Sequence, residues 1–178
     1  MLNNKPNGAG NYRSGLYVPK NKDKVYKMNS EGGLYYRSSW EYSTMKYMDM
    51  CEEVRLWGAE CVEIPYQLKK PDKLGVMKVS NHRYYPDFYY ELEMNDGTIK
   101  KILLEVKPKK QTQKPILKTG VRLTEKQLNN FKYDINEYNR NMSKWEATIE
   151  YCRGRDLEFK ILTEENIKVM IMKYITNF

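Results

Sequence analysis

The spacing of apolar side chains changes several times along the chain, and each change marks a new element. Met45, Met48 and Cys51 recur at helical intervals, predicting a helix that starts at Ser38 and runs to about Val54. Val62, Ile64, Tyr66 and Leu68 then alternate with Glu63 and Gln67, which predicts a strand. Lys69 to Ser80 carries no such pattern and reads as a polar loop. Tyr84 to Glu93 and Ile99 to Lys107 flank Asn95-Asp96-Gly97, the pattern of a hairpin. In that hairpin Phe88, Tyr90 and Leu92 face away from Asp87, towards a packed helix.

A longer helical stripe follows. Leu128, Phe131, Ile135, Tyr138, Met142, Trp145, Ile149 and Cys152 recur at spacings of three and four. Thr124 and Gln127 supply a capping box at its start, and Gly154 its stop. The stripe suits packing across the sheet, with a bend near Asn139 to Asn141; it would also suit a homodimer. Leu157, Phe159 and Ile161 alternate as a further strand, and Thr163 caps a last helix with Ile167, Met170, Ile171 and Tyr174 inward. Residues 1–33 are rich in Asn, Lys and Gly, show little periodicity and read as an extended N-terminal arm, part of it disordered. Its most structured stretch is Gly15-Leu16-Tyr17-Val18-Pro19-Lys20. Residues 34–178 then form one α/β domain: a mixed sheet with a central antiparallel hairpin, flanked by helices.

Composition narrows the function. The 178 residues hold 31 Lys and Arg against 23 acids, a net charge of +8 that suits a polyanionic partner. No apolar run approaches the roughly eighteen residues of a membrane span, and the N-terminus lacks a signal-peptide core. Cys51, Cys61 and Cys152 are scattered and odd in number, which argues for a reducing compartment and against a zinc or disulfide framework. His82 is the single histidine, which argues against a His-based triad or a His-rich metal site and suits a surface role. No Gly-x-Gly-x-x-Gly or Walker-type lysine loop is present, which argues against a nucleotide cofactor.

The candidate chemistry sits in the hairpin. Pro86-Asp87-Phe88 precedes the turn and Glu105-Val106-Lys107 comes after it. Alternation puts Glu105 and Lys107 on one face and Val106 on the other. Two carboxylates suit a hard divalent cation, Mg²⁺ or Mn²⁺. A neighbouring lysine can then position water or stabilise charge developing on a phosphate. The turn decides the geometry. A two-residue Asp-Gly turn sets Asp87 opposite Val106 and the two acids on opposite faces. A three-residue loop with Gly97 left-handed sets Asp87 opposite Glu105, with Cβ atoms about 4.5–5.5 Å apart. The chemistry selects the second register, so Gly97 is expected at positive φ.

Two further features have alternative readings. Glu41 lies on the apolar stripe of the first helix, where an inward carboxylate needs a partner; Ser38-x-x-Glu41 is equally a capping box. Lys107 to Arg122 holds six cations (Lys107, Lys109, Lys110, Lys114, Lys118, Arg122) and no acid, with Pro108 and Pro115 keeping it extended. Either a solvated loop or a phosphate-tracking segment answers to that composition.

The element order, with Glu41 on the first helix, Asp87 on one strand and Glu105-x-Lys107 on the next, resembles the PD-(D/E)XK nuclease superfamily and its restriction-endonuclease-like core. Longer stretches are similar to the head completion nucleases of T-even-type phages: Tyr36 to Glu41, Arg83 to Tyr89, Glu105 to Gln113, Gly15 to Asn21 and Lys144 to Ala147. Met1 to Arg13, Lys69 to Ser80 and the tail after about Ile167 resemble that family least. The resemblance implies a metal-dependent DNA endonuclease acting in head completion after DNA packaging. Its setting would be the host cytoplasm or the virion, with head or portal proteins as partners. Catalytic roles fall on Glu41, Asp87, Glu105 and Lys107. A Mg²⁺ or Mn²⁺ ion would be held by Asp87, Glu105 and the Val106 carbonyl, with Glu41 direct or through water. Arg37 and Arg83 become candidates for phosphate contact, or else pair with surface acids. Lys109, Lys110, Lys114 and Lys118 are candidates for the DNA backbone. The alternative is a virion structural protein that binds DNA or portal on a nuclease fold without cutting.

Overall fold

The computed structural model describes residues 14–72, 74–117, 120 and 122–175, the last five by backbone alone. In chain order the elements are β1 (Gly15–Tyr17), β2 (Leu34–Tyr36), α1 (Ser39–Met50), β3 (Val54–Ala59), β4 (Ile64–Pro71) and β5 (Met77–Tyr84). They continue with β6 (Phe88–Glu93), β7 (Ile99–Val106), α2 (Lys109–Thr112), α3 (Glu125–Cys152), β8 (Glu158–Leu162) and α4 (Glu164–Ile175). The main sheet has the order β3-β6-β7-β8. β3, β6 and β7 pair antiparallel, and β8 returns parallel to β7 after the α3 crossover. This is the mixed α/β sheet with a central antiparallel hairpin that the periodicity predicts.

β7 is the strand both layers share. Ile102 to Val106 are all buried. Leu104 and Val106 join Phe88, Trp57 and Val54 under Met45 and Met48 of α1, with Ile167 of α4. Leu103 faces the other way, towards Ile64, Tyr66, Tyr84 and Cys152. Each such apolar side chain contributes about 1.5–3 kcal/mol on leaving water. Phe88 and its neighbours Tyr90 and Leu92 lie on the α1 side, as their alternation requires.

The structure corrects several boundaries. α1 stops at Met50 instead of near Val54, because Val54 is claimed by β3 and pairs with Leu92. Lys69 to Ser80 is no loop. It is the outer half of a β4–β5 ribbon that pairs from Ile64↔Tyr84 to Pro71↔Met77 and forms its own two-stranded sheet. Its turn is built by Asp72, whose carboxylate accepts from the Leu74 and Val76 amides, and by Gly75 at φ 80°. The basic segment after Lys107 contains the one-turn helix α2 where extended chain was expected. α3 has the predicted capping box, but its buried face is Asn141, Trp145, Thr148 and Cys152, while Leu128 and Ile149 are exposed. Only the second half of the helix is covered by ribbon and sheet. In α4, Ile167 is buried; the Ile171 and Tyr174 side chains lie outside the described residues.

Of the arm, residues 1–13 lie outside the described residues. The rest of it is fastened to the domain. β1 pairs with β2, and the fully buried Asp49 of α1 accepts from the Tyr17 hydroxyl at 2.6 Å and from the Lys20 and Asn21 amides at 2.8 and 2.9 Å. Three donors satisfy a charge that would otherwise be costly to bury. Among the described residues no helix is long and apolar enough to cross a membrane.

Candidate active site

The β6–β7 loop sets the geometry. The Met94 amide donates to the Thr98 carbonyl and the Gly97 amide to the Met94 carbonyl, each at 2.8 Å, and Gly97 sits at φ 80°. Asp96 adds a 2.9 Å bond from the Thr98 amide. This is the three-residue loop, and the ladder it starts runs from Glu93↔Ile99 to Phe88↔Leu104. One step further, Asp87 stands opposite Glu105. Pro86 cannot donate to the ladder and ends the pairing there, which frees the Asp87 side chain to accept from the Val106 amide at 2.7 Å.

Glu105 is 1% exposed, an acid inside an otherwise apolar buried run. Both of its oxygens are held. Tyr84, the last residue of β5, donates its hydroxyl to Oε2, and the Lys107 ammonium stands 3.0 Å from Oε1. Burial and then the Glu105 charge push the Tyr84 phenol far above its ordinary value, so it stays a donor. Burial by itself would lower the Lys107 pKa; Glu105, Asp87 and Glu41 outweigh it and lift the ammonium above its usual value. Burial, then repulsion from Glu105, pushes the Asp87 carboxyl up to about 8 against the Val106 amide and Lys107, which pull it down. The balance favours the protonated form of Asp87 more than in an ordinary aspartate.

Glu41 arrives from the start of α1. Its amide donates to Ser38 Oγ at 3.1 Å, while its carboxylate accepts from Ser38 Oγ and from the Arg37 amide, both at 2.8 Å. The helix start is thus capped, and the same carboxylate acts electrostatically on both Asp87 and Lys107. Capping and membership of the acidic cluster are compatible. Asp87, Glu105 and Lys107 stand together, and Glu41 lies within electrostatic reach of Asp87 and Lys107.

Lys144 of α3 joins them, a residue to which the sequence patterns give no role. Its ammonium stands 5.1 Å from the centre of the Tyr84 ring. Burial lowers its pKa; Glu105 attracts the charge and Lys107 repels it. The available signal is its place on α3 between the buried Asn141 and Trp145, where a lysine needs a reason.

The cations proposed for phosphate contact are partly engaged elsewhere. Arg37 forks onto both oxygens of Glu60, and Arg83 stands 3.6 Å from Glu63. Lys109 pairs with Glu165 at 2.8 Å, and Lys110 lies 3.7 Å from Asp134. Lys114 lines a cavity of about 360 Å³ between the basic segment and α3, with Tyr133, Tyr138 and Asn141; Glu41, Asp87, Glu105 and Lys107 do not line it. Lys118 lies outside the described residues.

Residues 51–164 match the family model of the TnsA-like endonuclease N-terminal domain. The chain is also similar to the head completion nuclease of Enterobacteria phage T4. The two are 31% identical over 160 residues, which is 90% of this chain and 97% of that protein. No solved structure matches.

Proposed function

The chain belongs to the TnsA-like endonuclease family, of PD-(D/E)XK type, and from that footing we propose that it is a metal-dependent DNA endonuclease centred on Asp87, Glu105 and Lys107, with Glu41 completing the site. The observation that carries it is the register that sets Asp87 beside the buried Glu105, with the Lys107 ammonium 3.0 Å from Glu105 and the Val106 amide 2.7 Å from Asp87. Two neighbouring acids with one lysine form a cluster short of positive charge, and burial with the Glu105 charge accordingly raises the Asp87 pKa. The donors are all oxygen, which suits Mg²⁺ or Mn²⁺ over zinc. Among the described residues no three His, Cys, Asp or Glu side chains stand close enough to hold an ion by themselves. A cation here rests on Asp87, Glu105 and backbone or water oxygens, with Glu41 acting through water. The Val106 carbonyl is the backbone candidate, since in a strand it lies on the same edge as its amide, and that amide points to Asp87.

When bound, a divalent cation supplies a polarised phosphoryl oxygen and a more acidic water. The protein supplies the rest. Tyr84 and Lys107 fix Glu105 from either side, so the carboxylate cannot swing as charge builds. Lys107, charged and shielded from bulk water, faces the negative charge that grows as water attacks phosphorus and the bond to the leaving oxygen breaks. Lys144 offers a second ammonium for the adjoining phosphate. By analogy with the phage T4 relative, the setting is head completion after packaging, in the infected cell or on the particle.

The test is cleavage of linear, nicked, branched and single-stranded DNA with and without Mg²⁺ or Mn²⁺, using the wild type, Asp87→Asn and Lys107→Ala. Metal-dependent cutting by wild type alone is expected. Absence of cutting on every form would favour a DNA- or portal-binding structural protein.

A further inference from the structure

The outer half of the β4–β5 ribbon stands apart from the candidate reaction centre. Its root is fixed: Ile64 and Tyr66 are buried beside α3, and Tyr84 bonds Glu105. Outward the cover fades. Three pairs stand beyond Leu68↔Ser80, namely Lys69↔Val79, Lys70↔Lys78 and Pro71↔Met77, and all six residues are exposed. At about 3.3 Å per residue they project about 10 Å before the turn.

Its composition is unusual for a solvated ribbon. Between Ile64 and Tyr84 there are five cations, Lys69, Lys70, Lys73, Lys78 and Arg83, against the single acid Asp72. That surplus is half of the chain's net +8. Lys70 and Lys78 are cross-strand partners, a like-charge pairing that opposes sheet formation, and among the described residues only Lys78 of the two has a counter-ion, Asp72 at 3.4 Å. Alternation puts Lys70 and Lys78 on one face of the ribbon and Lys69 on the other, so cations flank it on both sides. The tip is apolar: Leu74 is 88% exposed, with Val76, Met77 and Val79 also largely in water.

We propose that the free end of the β4–β5 ribbon enters a groove of duplex DNA bound at the reaction centre, with Lys69, Lys70 and Lys78 on the flanking phosphates and Leu74 and Met77 against base edges. This rests on the nuclease reading above. The dimensions agree, since a major groove about 12 Å wide and 8.5 Å deep admits a two-stranded ribbon. Charge on both faces meets the two phosphate walls, and exposed apolar side chains at the tip meet thymine methyls or base steps. Because Tyr84 is both the end of β5 and a partner of Glu105, the ribbon is held at a set position relative to the bond that is cut.

Binding without divalent metal tests the ribbon separately from catalysis. For Lys69→Ala/Lys70→Ala/Lys78→Ala, the salt dependence of duplex binding should flatten by up to about 0.9 log unit per lost contact. Single-stranded DNA should respond less, and the matching Lys→Arg triple should restore the wild-type slope. Leu74→Ser/Met77→Ser should weaken duplex binding at every salt concentration without changing the slope. Melting by circular dichroism verifies that each variant is folded. An unchanged duplex slope in the alanine triple, or an equal change on single strands, overturns the proposal. So does a triple that loses binding to phosphatidylserine vesicles while duplex binding stays intact, which would make the ribbon a membrane contact. A flattened slope in a protein whose wild type cuts no DNA would sink the nuclease reading and, with it, the placement of the duplex at a reaction centre, while keeping the ribbon as a duplex-DNA contact.

Discussion

Two β-hairpins meet at Tyr84 and Glu105, and they are opposites. β6–β7 lies inside the sheet, and Ile102 to Val106 of β7 are buried on both faces. β4–β5 forms its own sheet, and seven of the eight β5 residues are exposed. Both turns place a glycine at φ 80°, and both have an aspartate bonding nearby amides. The difference is environment. In the buried hairpin a one-residue change of register would move Asp87 away from Glu105, and low local polarity turns proximity into large pKa shifts. In the exposed hairpin charges are screened, and they act on a partner more than on one another. Burial makes chemistry; exposure makes contact.

The largest effects are expected at the buried hairpin. Lys107→Ala should cut the rate of DNA cleavage by on the order of a hundredfold or more, with DNA affinity nearly intact, because the ammonium acts where charge develops. Single-turnover kinetics beside a binding titration separates the two. Asp87→Asn should abolish divalent-ion binding in calorimetry.

Lys144→Met should have a smaller effect, about tenfold on cleavage, because a second ammonium orients phosphate without carrying the chemistry. Equal rates would leave Lys144 as a packing residue over Tyr84.

The raised Asp87 pKa gives a pH signature in the metal-free protein. The folded state keeps a proton that an ordinary carboxylate, with its value of 3.8, has released. That contribution to stability is fully present below about pH 4 and is lost as pH rises through about 8. Melts of wild type in chelator should therefore fall over this window relative to Asp87→Asn. A constant difference would mean that Asp87 titrates normally.

The smallest effect sharpens the contrast between the turns. Gly97→Ala and Gly75→Ala impose the same positive-φ strain, about 1–2 kcal/mol. In the β6–β7 turn it should lower the global melting temperature. In the ribbon turn it should be absorbed by local fraying and appear only in hydrogen exchange of the tip.

The sequence is readable where a physical requirement reaches the side chains. Asn95-Asp96-Gly97 offers a left-handed glycine, and the need to bring Asp87 to Glu105 picks the three-residue loop. Thr124 and Gln127 announce the start of α3 because orphan amides need partners. The ribbon is hidden in the sequence because neither face of its outer half is covered, so alternation of apolar and polar residues has nothing to encode. β3 is masked because Cys51 keeps the helical spacing to the point where Val54 pairs with Leu92. On α3 the exposed Ile149 and the buried Thr148 exchange expected places, since only half of the helix is covered and the ribbon selects the face. Lys144 is easily passed over because a helical lysine ordinarily points to solvent, and its one signal is its place beside Trp145 on the face that α3 buries.

The return of β8 beside β7 also acts on the timing of synthesis. Glu105 is enclosed only when Ile161 is opposite it, and the Lys107 amide is held by the Leu162 carbonyl at 3.0 Å. At roughly 5–20 residues per second, the stretch from Val106 to Leu162 takes about 3–11 s to emerge from translation. During that interval a nascent chain has its acids and its lysine but lacks the strand that closes them in. The candidate reaction centre is therefore a late product of biosynthesis, assembled after most of the polypeptide has been made.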